Sequence, residues 1–167
     1  MIATQTNALA ETLATQFGMN QFIVRTNLDG ITHAESLVRA VPDGNHINWL
    51  LGHVVATRCA LLPSLHQQPP MAKDQMRAYD RGSSAVADED YLPLDELLRL
   101  FDATQKQILA GVAALSEEEI NAPAPFSPGG GSETLGSLLA KSTVHEGYHL
   151  GQTGILRRVV GKPGAIR

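Results

Sequence analysis

Residues 133–160, ETLGSLLAKSTVHEGYHLGQTGILRRVV, form the stretch on which the predicted fold depends. Read as a helix, they place eight residues on one face, at alternating spacings of three and four: Leu135, Leu138, Ser142, His145, His149, Gln152, Leu156 and Val159. This face is apolar at both ends and polar in the middle. Burying the polar side chains is unfavourable unless they bond to one another or bind a ligand. Because His145 and His149 lie one turn apart, both can reach one metal ion.

Three more long helices are predicted from apolar residues that recur at helical spacing. The first covers residues 7–28, and the second follows Asn45 as its N-cap and covers residues 46–66. Pro63 is expected to distort or end the last turn of that second helix. The third opens at Pro93 and carries a buried face as far as Leu115.

Short sequence signals between these helices predict short helices, helix ends and a crossover. Capping boxes at residues 32–35 and 116–119 predict two short helices, the first reaching about Ala40. Ser132 is expected to cap the last long helix, and Gly161 to end it. Residues 67–91 show no periodicity and read as a long crossover between the second and third long helices. No segment alternates like a strand and no repeat is present, so we expect an all-α four-helix bundle, one domain over residues 1–167.

Composition and charge narrow the class of protein. At 167 residues and 17.9 kDa, with 43% hydrophobic and 18% charged residues, the chain suits one globular domain. A net charge of -4 with scattered cations argues against nucleic acid as a partner. One cysteine, Cys59, excludes an internal disulfide and suits a reducing cytosol. Neither a signal peptide nor a membrane span is expected, so we predict a cytoplasmic protein that does not bind membranes.

His53, in the second helix, is the third candidate metal ligand. Three neutral imidazoles on two facing helices would suit a divalent ion such as zinc or nickel, with one position left open. A lone buried histidine is more often a hydrogen-bonded core residue, and two histidines four residues apart are common in helices. The polar middle of the last helix favours a site, because Ser142 and Gln152 would otherwise add to the buried polar groups.

Other polar residues are weaker candidates. His46 lies about 10 Å from His53 along the helix, by a rise of about 1.5 Å per residue, and reads as a helix-terminus residue. Cys59 reads as a small buried apolar residue. Glu146 could orient a histidine or act as a base, but an exposed carboxylate is an equal alternative. Gln152, one turn past His149, suits a contact with a ligand or with the substrate.

Two motifs together resemble the DinB/YfiT-like superfamily: NWLLGHV at residues 48–54 and HEGYHLGQTGILRRVVG at residues 145–161. The likeness covers most of the chain. It implies a four-helix bundle of up-down-down-up connectivity, commonly a homodimer. It also implies a divalent metal held by His53, His145 and His149, and Gln152 matches the glutamine of the family motif.

The resemblance implies several functions. Relatives include metal-dependent enzymes that use low-molecular-weight thiols such as mycothiol, bacillithiol or glutathione, and others regarded as hydrolases. We expect a metal-dependent enzyme that transfers such a thiol to a small electrophilic substrate. The alternatives are a hydrolase that uses metal-bound hydroxide, with Glu146 as the nearest candidate base, and a non-catalytic structural metal site in a helical dimer. Gln152 and Glu146 are the candidate catalytic residues.

Overall fold

A computed structural model describes residues 8–83, 87 and 90–166. Within these residues it contains seven α-helices and no strand, which confirms the all-α prediction. Two 3₁₀ turns cover Leu62–Leu65 and Arg77–Tyr79. Asn7, the predicted start of the first helix, lies outside the described residues. The helices are α1 Ala8–Leu28, α2 His33–Ser36, α3 Ile47–Leu61, α4 Lys73–Met76, α5 Leu94–Ala114, α6 Glu117–Asn121 and α7 Leu135–Val159.

The four long helices pack against one another around the core. α1 and α3 each contact both α5 and α7. The buried apolar residues form two clusters, one that includes Leu50, Phe101 and Leu150 and another that includes Phe17, Ile108 and Leu139. In the described part of the chain, no helix is both long and apolar enough to cross a membrane.

The residues that begin the helices differ in part from the predicted caps. His46, not Asn45, caps α3, because its Nδ1 accepts the Trp49 amide at 3.0 Å. Thr134, not Ser132, caps α7. The start of α7 is delayed because the Glu133 carbonyl and the Leu135 amide bond to residues 122–124, which holds this segment extended.

The ends of the helices also carry one correction. α2 stops at Ser36 rather than near Ala40, because the Leu37 and Val38 amides bond three residues back, to Ala34 and Glu35, and no α-helical bonds follow before α3. α3 gives way to a 3₁₀ turn at Pro63, and Gly161, with a φ of 80°, follows the end of α7. Both capping boxes are present.

The buried face of α7 is wider than the predicted one. Seven of its eight predicted residues are buried or half-buried, but Val159 is 45% exposed, so that prediction was wrong. Instead α7 also buries Thr143, Glu146 and Thr153. The difference arises because α7 packs against α1 as well as α3, so its buried surface spans two neighbours rather than one line of residues.

The predicted crossover, which connects α3 to α5, carries α4 and the second 3₁₀ turn. It is held to α3 by Tyr79, whose ring is 1% exposed. The Tyr79 hydroxyl donates to Asn48 Oδ1 at 3.3 Å and accepts the Leu92 amide at 2.9 Å. Its ring lies against Gly52, where an added Cβ would come within 2.1 Å of Tyr79 Cδ1. Glycine at this position therefore lets the crossover pack closely.

A polar layer lies between the two apolar clusters. At its centre Arg58, which is fully buried, donates from Nε and Nη2 to the two oxygens of Glu146 at 2.7 and 2.8 Å. Asn20 of α1 donates to the same carboxylate at 3.1 Å. The guanidinium carbon lies 3.9 Å from the centroid of the Phe101 ring. One buried ion pair thus joins α3 to α7 and is contacted from α1 and α5.

Removing one partner of this pair should lower the free energy of unfolding far more than removing both. Arg58→Met leaves the Glu146 carboxylate buried and unpaired, so we expect a loss of about 3–5 kcal/mol in the free energy of unfolding, measured by urea denaturation. Adding Glu146→Leu should restore much of that loss. The control is Glu96→Gln, which breaks the exposed pair with Arg99 and should cost less than about 1 kcal/mol. Equal losses for Arg58→Met and Glu96→Gln would contradict the prediction.

Candidate metal centre

Three histidine side chains converge from two helices. His53 is on α3, and His145 and His149 are one turn apart on α7. The Nε2 atom of His145 lies 3.1 Å from Nε2 of His53 and 3.2 Å from Nε2 of His149. In the described part of the chain, these three form the one group of histidine, cysteine or acidic side chains suited to a metal ion, with candidate ligand atoms within 4.8 Å of one another.

Hydrogen bonds on the far sides of two rings set which nitrogens carry protons. His53 Nδ1 lies 2.7 Å from the Tyr79 carbonyl oxygen, which can only accept, so Nδ1 is the donor. His149 Nδ1 lies 3.0 Å from Oε1 of Gln152 and donates to it in the same way. In a neutral imidazole this leaves Nε2 unprotonated. Both Nε2 lone pairs therefore face the centre of the cluster, as they do in histidines that bind metals.

The cluster fits a divalent ion on the chemistry and spacing of its nitrogens. Metal–nitrogen bonds of about 2.0–2.1 Å in tetrahedral geometry place two ligand nitrogens about 3.3 Å apart, close to the 3.1 and 3.2 Å seen here. Without an ion, a single proton on Nε2 of His145 would have to be shared between two acceptors, the Nε2 atoms of His53 and His149. A cation would satisfy all three lone pairs together.

Burial also prepares His145 and His149 for metal binding by favouring their neutral forms. Burial, reinforced by the nearby His149, His53 and Arg81, lowers the pKa of His145 from 6.5 to about 4. The pKa of His149 is lowered for the same main reason, burial, although its bond to Gln152 opposes the shift. Protons therefore compete with a metal ion for His145 only in acid.

Two aromatic rings lie against the histidines of the centre. The Trp49 indole stacks on His53 with 4.8 Å between ring centroids and meets His149 edge-on at 6.3 Å. Tyr148, 66% exposed, lies 5.1 Å from His149. All three histidines are half-buried rather than enclosed. The centre is therefore partly exposed to solvent.

The structure brings Gln152 to the centre but directs Glu146 elsewhere. Gln152 bonds to His149, whereas the Glu146 carboxylate is 1% exposed and bonds to Arg58 and Asn20. His46 is the helix-terminus residue that the sequence predicts. Cys59 is buried, and burial raises the pKa of its thiol, in keeping with a small apolar role.

Two residues important to the site were missed by sequence reasoning. The Tyr79 carbonyl, which orients His53, is a main-chain group and has no sequence pattern of its own. Arg58 was missed because arginine is rarely fully buried without a partner, and its partner is 88 residues away. Gly52, beside His53, is the sequence signal that could have indicated Tyr79, because glycine within a helix allows another segment to approach closely.

Comparison with known families decides where the chain belongs. The family model described as the DinB superfamily matches residues 20–153, a range that contains all three histidines. The chain belongs to the DinB superfamily. This confirms the resemblance on which the sequence-based expectations were built.

A solved structure gives independent support for the fold. It is described as the conserved protein of a locus from Enterococcus faecalis, and it is 16% identical to this DinB-superfamily chain. The similarity has a TM-score of 0.69 and covers 90% of this chain and 95% of the other. At that identity the likeness shows the fold alone. No curated protein gives a significant match.

The lowered histidine pKa values predict a pH dependence of stability in the metal-free protein. The pKa of His145 is about 4 when folded and 6.5 in the reference state, so the unfolded chain binds more protons between these values. The free energy of unfolding should therefore fall as pH falls from 6.5 towards 5, above the range in which most carboxylates titrate. Thermal melts in the presence of a chelator test this. His145→Gln should flatten the slope, and an unchanged slope in that variant would contradict the assignment.

Proposed function

We propose that this chain is a divalent-metal-dependent enzyme that transfers a low-molecular-weight thiol to a small electrophilic substrate. The observation that carries the proposal is the convergence of three Nε2 atoms, two of them kept unprotonated by bonds on the far side of their rings. His53, His145 and His149 are the proposed ligands. Zinc or nickel is the proposed metal, because both accept imidazole nitrogen.

The proposed chemistry assigns separate parts to the ion and to the protein. A bound divalent ion would lower the pKa of a thiol so that it is ionised near neutral pH. Imidazole ligands add no negative charge, so the full charge of the ion would be available to a bound thiol. Trp49 and Tyr148 both lie against the His149 ring and would hold the apolar part of a substrate.

The surroundings of Glu146 favour thiol transfer over hydrolysis. A hydrolase of this kind needs a general base near the attacking water. Both oxygens of Glu146 already accept hydrogen bonds from Arg58, which favours a structural part for this carboxylate. Gln152 has no basic nitrogen, so we propose that it orients His149. A thiol ionised by the metal requires no such base.

The number of ligands favours a reactive site over a structural one. Structural zinc is usually held by four protein ligands, whereas catalytic zinc keeps a position open. In the described ranges the group contains three ligand side chains, with no cysteine or carboxylate among them. A fourth position would therefore be available to a thiol or a substrate.

We further infer that the long helices form an up-down-down-up four-helix bundle. Asn20 bonds to Thr143, and Asn27 to Leu150, which supports a parallel arrangement of α1 and α7. On α3, Trp49 approaches His149 while His53 approaches His145, which supports an antiparallel arrangement of α3 and α7. Asn48 bonds to residue 92 and Arg58 to residue 101, which supports a parallel arrangement of α3 and α5. The crossover would then run the length of the bundle.

A homodimer is also proposed, formed through the outer face of α1 and α7. Large apolar side chains are exposed there, among them Met19, Phe22 and Ile155, at 57%, 56% and 65%. A shallow groove of about 620 Å³ beside Ile155 contains Gly151, where an added Cβ would meet no other atom. A second copy of the chain would cover this face.

A cytoplasmic location is also proposed. The single cysteine, Cys59, is buried and unpaired, which is compatible with a reducing compartment.

Metal content is the primary test of the proposed function. We expect about one divalent ion per chain, measured by inductively coupled plasma mass spectrometry on untagged protein after incubation with zinc or nickel. His149→Ala should lose the ion, because two imidazoles remain. His33→Ala, which changes an exposed histidine outside the site, is the matched control. A wild-type protein without metal would overturn the proposed function.

The reaction is tested on the metal-loaded protein. Consumption of a model electrophile should require an added thiol and be lost in His149→Ala. Turnover that is independent of thiol would favour hydrolysis.

The dimer is tested by light scattering after size exclusion. We expect a mass of roughly twice 17.9 kDa for the wild type. Ile155→Asp places a charge in the proposed interface and should give a monomer. Val41→Asp, at an exposed apolar residue on a loop, is the matched control and should remain dimeric. A monomeric wild type would contradict the proposal.

A further inference from the structure

The two histidine rings that donate through Nδ1 are oriented in different ways. His149 bonds to Gln152, three residues further along the same helix, so its orientation is a local property of α7. His53 bonds to the carbonyl of Tyr79, 26 residues away on the crossover. The orientation of His53 therefore depends on where the crossover lies.

Close packing with α3 determines the position of that carbonyl. The Tyr79 ring is buried over Gly52, the residue directly before His53, where only glycine leaves room for it. The Tyr79 hydroxyl is held by Asn48, one turn before Gly52 on α3, and by the Leu92 amide. Asn48 also donates to the Leu92 carbonyl at 2.8 Å. The ring is anchored at both ends, and the carbonyl has little freedom to move.

We propose that Tyr79 is a positioning residue of the metal centre, and that docking of residues 77–83 on α3 is coupled to metal binding. The inference rests on the proposed metal function and deepens it. When Tyr79 is docked, its carbonyl holds the proton of His53 on Nδ1 and turns Nε2 towards His145. When Tyr79 is displaced, the ring of His53 loses that restraint, and one of three ligands is no longer preorganised.

The coupling must act in both directions. If docking of the crossover strengthens metal binding, a bound ion must stabilise the docked crossover by the same factor. The Leu92 amide reports on docking, because it donates to the Tyr79 hydroxyl. Its hydrogen exchange should therefore slow when metal binds.

The test compares zinc affinities by isothermal titration calorimetry. Gly52→Ala puts a methyl group into the space of the Tyr79 ring, and we expect the Kd for zinc to rise about 10- to 100-fold. Gly111→Ala is the matched control. Its Cβ would come within 2.6 Å of Leu65 Cβ, in the other apolar cluster, so it destabilises the core without touching the centre. Its zinc affinity should equal that of the wild type.

A second variant keeps the proposal testable if Gly52→Ala does not fold. Tyr79→Ala removes the buried ring without adding a clash, and the Kd for zinc should rise over the same range of about 10- to 100-fold. Hydrogen exchange is measured alongside. Zinc should slow exchange of the Leu92 amide in the wild type and much less in Tyr79→Ala.

The outcomes separate the two proposals. Zinc binding that is weakened in Gly52→Ala or Tyr79→Ala but not in Gly111→Ala supports the positioning role. Zinc binding of equal strength in all folded variants would overturn the positioning role and leave the metal centre intact. Wild-type protein that binds neither zinc nor nickel would overturn both. An equal loss in Gly111→Ala would assign the effect to general destabilisation and overturn the role of Tyr79.

Discussion

The buried ion pair between Arg58 and Glu146 constrains the rest of this structure. Two unit charges lie in an apolar interior, and they remain there because each satisfies the other through two hydrogen bonds. Asn20 completes the bonding of the carboxylate, and Phe101 covers the guanidinium. These partners come from all four long helices. The pair therefore fixes how α3 and α7 are aligned along their axes, and with that alignment the positions of the residues on either side of the pair.

The candidate metal centre depends on that alignment. His53 lies five residues before Arg58 on α3, and His145 and His149 lie on either side of Glu146 on α7. A shift of either helix by one turn would separate the rings, since the rise per turn is about 5.4 Å and the nitrogens lie 3.1–3.2 Å apart. The same alignment removes Glu146 from the centre. What remains there is three imidazoles, one amide and aromatic rings, an arrangement that agrees better with the proposed thiol transfer than with hydrolysis.

The sequence alone determined most of the fold and the members of the centre. Helical periodicity, capping boxes at residues 32–35 and 116–119, and glycine after α7 are local signals, so the four long helices were predicted to within about five residues at each end. The short helix α4 was not predicted, because residues 67–91 show no periodicity. The two histidine motifs and Gln152 were found in the same way, because spacings of three and four residues place side chains on one face whatever the helix packs against. The corrections at Asn45 and Ser132 are small in scale. His46 caps α3 through its own ring nitrogen, whereas residues 122–124 hold the segment before α7 extended.

Only the tertiary structure decided the groups whose partners are distant in the chain. Glu146 was indistinguishable from an exposed carboxylate until Arg58, 88 residues earlier, was brought against it. Val159 was predicted to be buried and is exposed, because α7 turns its buried surface towards α1 as well as α3. The Tyr79 carbonyl had no signal at all, since every residue has such a group and only packing selects one. Local patterns determine which residues share a helix face and can reach the site. Burial and pairing across the core determine which of those residues bond to one another and which nitrogens carry protons.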